Sequence, residues 1–96
     1  MTDRSWTYPD ELRSALAGFG LAPTPRTPPA LVRDALNDLY RYELRRMRDR
    51  LRAGDIDKAS YIDRVIAVRK HYWPLTLPLP GWEKICDPGE PRAYST

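Results

Sequence analysis

Between residues 30 and 73 the chain contains no proline, and Gly54 is its only glycine there. Proline and glycine are the residues that most reliably break a helix, so this stretch has one natural place to turn. Thr27-Pro28-Pro29 opens it, with Thr27 expected as the N-cap and Pro28 at the first helical position. A long helix is predicted over 28–53. Val32, Leu36, Leu39, Tyr40, Leu44, Met47 and Leu51 form its main apolar stripe, widened on one side by Leu31, Ala35 and Tyr42. Gly54 supplies the left-handed stop. Asp57 is expected to cap a third helix over 57–73, with Ile56 and Tyr61 spaced as a hydrophobic staple and Pro74 ending it. The expected fold is therefore all-α: a long antiparallel helical hairpin.

The arms are short and proline-rich. Pro9, Asp10 and Glu11 suit a helix start, and Leu12, Ala15, Leu16 and Phe19 share one face. A short helix over 9–19 follows, stopped by Gly18 or Gly20, and its apolar stripe is expected to lie on the hairpin. Prolines 74, 78 and 80 alternate with leucines, which predicts an extended arm over 74–86 with one helical turn at 81–86. Residues 87–96 bury nothing and are expected to be a disordered tail. At 96 residues the chain is one small domain of thin stability margin.

Composition narrows the function classes. Cys86 is the only cysteine, which excludes an intrachain disulfide and suits a reducing, cytoplasmic setting. The start Met1-Thr2-Asp3-Arg4-Ser5-Trp6 lacks a secretory pattern, and no apolar run approaches a membrane span. His71 is the only histidine, so no His/Cys group has metal-ligand spacing, and Cys86 lacks the histidine or second cysteine that would activate it. Asp34 and Asp38 lie one turn apart, a spacing better suited to pairing with Arg41 than to holding a cation. There is no phosphate loop, nucleophile elbow or paired acid and base. The expectation is a non-enzymatic protein without cofactor, metal or catalytic residues.

Three constellations remain. Glu43 and Arg69 both fall on the inner arcs of their helices, which predicts an interhelix salt bridge fixing register, with a tyrosine hydroxyl able to join it; the alternative is that both side chains reach out to the rim and never meet. Arg41, Arg45, Arg46, Arg48, Arg50 and Arg52 against Glu43 and Asp49 leave a net +4 on residues 41–52. Arg41, Arg45, Arg48 and Arg52 could follow a phosphate backbone; intrahelical pairs such as Arg45–Asp49, Glu43–Arg46 and Asp49–Arg52 are the plainer reading. Trp6, Trp73 and Trp82, with Tyr8, Tyr72 and the arm leucines, either pack on their own helices or dock into a partner. Tyr42, Trp73, Leu75, Leu77, Leu79 and Trp82 are the candidate partner-binding residues.

Met47, Leu51, Gly54, Ile56, Tyr61 and Lys70 are laid out as a basic helix, a glycine, a small apolar residue and an aromatic-containing helix. Leu44 to Tyr72 thereby resembles the short bacterial helical hairpins called SHOCT-type domains. The resemblance covers under a third of the chain. It departs from that family in the longer first helix and in Asp57-Lys58-Ala59-Ser60, where the family has an acidic run. It implies a role in oligomerisation or interaction. The combined expectation is an accessory or adaptor subunit that self-associates and binds a protein partner; the alternative is a small nucleic-acid-binding regulator using the arginine face.

Overall fold

A computed structural model describes residues 5–87. Among them every regular element is helical: α1 (Asp10–Ala17), α2 (Pro29–Arg52), α3 (Lys58–His71), a 3₁₀ turn (Trp73–Thr76) and α4 (Leu79–Ile85). The expected tail lies largely outside the described residues.

Local chemistry accounts for most of the boundaries. Asp57 caps α3 as expected, its carboxylate accepting from the Ser60 amide at 2.7 Å. That bond holds the exposed carboxyl below its usual range. α2 starts one residue later than expected. Pro28 is the flanking residue and Pro29 the first helical one, while the Thr27 hydroxyl is turned back to the Thr24 amide at 2.9 Å. Proline at both 28 and 29 leaves no amide there for a side-chain cap to satisfy. α1 and α2 both end on a left-handed glycine. Gly20 (φ +80°) lets the Leu21 amide reach back to Leu16 at 2.9 Å, and Gly54 (φ +81°) lets Asp55 reach Arg50 at 2.9 Å. No atom lies within 4 Å of a Cβ placed at Gly54. Gly54→Val therefore meets only the backbone penalty. Chemical denaturation should show a loss of roughly 1–2 kcal/mol without change of fold.

The C-terminal arm is not extended. Its first residues wind into the 3₁₀ turn, and Leu79–Ile85 form α4. Proline density misleads here because Pro78 flanks α4 and Pro80 lies in its first turn. In those places the missing N–H has no intrahelical partner to lose. The Gly81 and Trp82 amides then bond back to the Pro78 carbonyl.

The arms close the core. Trp6, Tyr8, Leu12, Leu16, Val32, Leu36, Met47, Val68, Tyr72, Trp82 and Cys86 are buried together, so the leading segment and all four α-helices contribute. The leading segment is stitched in by Trp6 N–H to the Pro25 carbonyl, Thr7 N–H to the Cys86 carbonyl, and the Tyr8 hydroxyl to the Thr27 carbonyl at 2.6 Å. Arg33 donates to the carbonyls of Leu77 and Leu75 at 3.1 and 3.2 Å, and the Trp82 indole donates to Pro74 at 2.9 Å. These bonds satisfy polar groups that folding the arm would otherwise bury unpaired. Most of the core lies toward the start of α2 and the end of α3. Toward the turn, Met47 and Ile56 are the buried residues.

Candidate docking face on the long helix

α1 and α4 cover only part of the broad apolar arc of α2. Leu31, Ala35, Leu39 and Tyr42 recur at helical spacing along one flank. Leu31 is 61% exposed, Tyr42 57%, and Leu39 is also open to solvent, while Ala35 is half-buried. A single exposed leucine is ordinary, but a row of apolar side chains along one helix makes this flank a candidate contact surface.

On one edge of this flank α2 and α3 enclose an open groove of about 580 Å³. Leu39, Met47, Ala67 and Val68 give it apolar walls, and Arg46, Arg50 and Arg64 bring positive charge to it. The Arg46 guanidinium lies 5.9 Å from the centre of the Tyr42 ring, within cation–π range. Inside the groove the Tyr72 hydroxyl donates to Glu43 Oε1 at 2.9 Å. Burial, then this bond and the nearby carboxylate, push the Tyr72 phenol up to about 12.

The expected Glu43–Arg69 salt bridge is not made. Tyr72 takes the place assigned to Arg69 on the Glu43 carboxylate. Arg69 instead borders a second cleft, of about 280 Å³, with Arg33, Asn37, Tyr40 and Leu75. Tyr72 lines both clefts, Glu43 the first and Arg69 the second. Helical wheels place Glu43 and Arg69 on inner arcs, but do not show which group from α3 reaches the carboxylate.

The other edge of the flank is charged. Asp34, Asp38, Arg41, Arg45, Arg48 and Arg52 are all exposed. The ion pairs expected within α2, including Arg45–Asp49, Glu43–Arg46, Asp49–Arg52 and a pair from Asp34 or Asp38 to Arg41, are not formed. Among the described residues the salt bridge is Arg13–Asp10 at 2.8 Å, on the surface of α1. The arginine stripe is therefore open along its length.

The candidate partner-binding residues divide. Tyr42 and Trp73 are exposed, whereas Leu75, Leu77 and Leu79 are half-buried against the core. Trp82 is 0% exposed and cannot meet a partner without unfolding α4. Leu31, Leu39, Ile62 and Ile66 are exposed but lie outside the candidate set. For Leu31 the widened arc is the signal. Leu39, Ile62 and Ile66 read as core from their spacing, because helical periodicity does not say which neighbour arrives.

The remaining reactive groups are structural in their surroundings. Burial pushes the Cys86 thiol up to about 11, away from the thiolate. His71 is exposed, with its ring 4.5 Å from Phe19. Among the described residues no group of three or more His, Cys, Asp or Glu side chains is arranged to hold a metal ion, and no helix is long and apolar enough to cross a membrane. Comparison with protein-family models, curated proteins and solved structures gives no match, so the SHOCT-type resemblance has no family match behind it.

Proposed function

We propose that this chain is a non-enzymatic helical interaction protein of the cytoplasm, an accessory or adaptor subunit that self-associates. In this reading α2 and α3 act as an antiparallel hairpin, the arms complete its core, and the outer flank of α2 meets the partner. The observation that carries it is the row Leu31, Leu39 and Tyr42, left open on α2 while the arm leucines are drawn into the core. Core-like apolar contact with a polar rim is the usual makeup of a specific interface. Light scattering and sedimentation across micromolar concentrations test it. The mass should rise above the 11.1 kDa of one chain. Tyr42→Glu should return it to monomer with unchanged helical circular dichroism. A monomer at every concentration overturns self-association.

The second reading is a nucleic-acid-binding regulator, favoured by the open stripe Arg41, Arg45, Arg48 and Arg52. Binding to random duplex should then fall steeply with salt, because each neutralised phosphate releases counterions. Reversing Arg45, Arg48 and Arg52 to glutamate should abolish it. Duplex affinity that is absent at low salt overturns this reading.

A further inference from the structure

We infer that the docking face takes a second copy of this chain, with the two α2 helices antiparallel about a two-fold axis beside Leu39. The inference rests on the self-association reading and adds direction and register to it.

The charge row supplies the argument. Asp34 and Asp38 lie on the same edge of the flank as Arg41 and Arg45, and all four are exposed and outside the ion pairing found among the described residues. In an antiparallel helix pair, residues on the same edge meet. The two acids are four residues apart, and so are the two arginines. One register therefore sets Asp34 against the second copy's Arg45 and Asp38 against its Arg41 at the same time. Two-fold symmetry repeats both contacts, giving an isologous seam in which each copy offers the same surface. A parallel pair brings opposite edges together, so the charged edge of each copy would face the groove edge of the other and this matching of acids to arginines would be lost.

The same register suits the apolar row. Leu39 falls next to the axis, and Tyr42 of each copy comes over the gap between Ala35 and Leu39 of the other. Ala35 is small enough to leave room for the ring. The helix dipoles also oppose one another in this arrangement. Exposed ion pairs contribute little energy, about 0–1 kcal/mol each. Their part is to select the orientation while Leu39 and Tyr42 supply the apolar contact.

Charge exchange on the full-length chain, read by sedimentation, is the test. Asp34→Arg with Asp38→Arg, or Arg41→Asp with Arg45→Asp, should each weaken the homodimer at least tenfold. All four changes in one chain should restore it. Spin labels on Arg52→Cys should lie about 40 Å apart in the dimer, from the rise per residue either side of the axis. A parallel pair would bring them within about 20 Å. A dimer indifferent to charge exchange, or with labels close together, overturns this seam and leaves self-association standing. A monomeric wild type overturns both. Charge changes that abolish only duplex binding, with the dimer intact, also overturn the seam and assign the row to nucleic acid.

Discussion

Trp82→Ala is expected to remove about 3–5 kcal/mol of stability, the largest loss from any single side chain described. Trp82 is the largest of the fully buried side chains, and it belongs to a helix of only seven residues. Such a helix has too few turns to persist alone, so its presence depends on the packing that Trp82 provides. Truncation opens a cavity and also removes the indole donor from the Pro74 carbonyl, which is itself in a fully buried residue. A domain of this length has roughly 5–15 kcal/mol in total, so the loss is a large share of it. Urea denaturation followed by circular dichroism should show a sharply lower midpoint or no folded baseline. Trp82→Phe helps to separate the two causes, since it loses the whole hydrogen bond but only part of the buried ring volume. It should cost much less than the alanine. Equal stability of wild type and Trp82→Ala would mean that α4 is not part of the cooperative core.

This dependence on α4 shows where the chain is legible and where it is not. Asp57, Gly54 and Gly20 act on the few residues beside them, so the helix boundaries they set can be read from neighbours in the chain. Prolines 78 and 80 are also local, but their effect depends on whether they fall inside a helix or in its first turn. That is decided by Trp82 packing beneath α2, which spacing does not reveal. The docking face follows the same pattern. Leu31, Ala35 and Tyr42 visibly widen the apolar arc of α2, yet which part stays open depends on where α1 and α4 land. The helical wheel places Glu43 correctly toward α3, but its partner is the hydroxyl of a core tyrosine. Tertiary competition for a carboxylate leaves no mark on a helical wheel.

Raising the pH should unfold the protein cooperatively between about pH 9 and 12. Three buried acids drive this. Tyr8 is pushed up to about 12, first by burial and then by the neighbouring Cys86 charge. Tyr72 also reaches about 12, through burial and then Glu43. Cys86 reaches about 11 through burial. In each case the unfolded chain loses its proton at lower pH than the folded one. Their neutral forms therefore favour the fold fully below about pH 9, and that contribution is lost as the pH rises through the folded values. Holding a proton roughly a hundredfold more tightly corresponds to at most about 2.7 kcal/mol per group, reduced wherever the structure relaxes or water enters. Ionised Cys86 adds to the penalty on ionising Tyr8. The helical signal at 222 nm and tyrosinate absorbance at 295 nm should change together and recover on return to neutral pH. Tyr72→Phe removes one of the three titrations, so its stability should fall less steeply with pH even if its value at neutrality is lower. Tyr8 and Tyr72 titrating near 10 while the helices persist to pH 12 would show that these phenols are not held neutral by the fold.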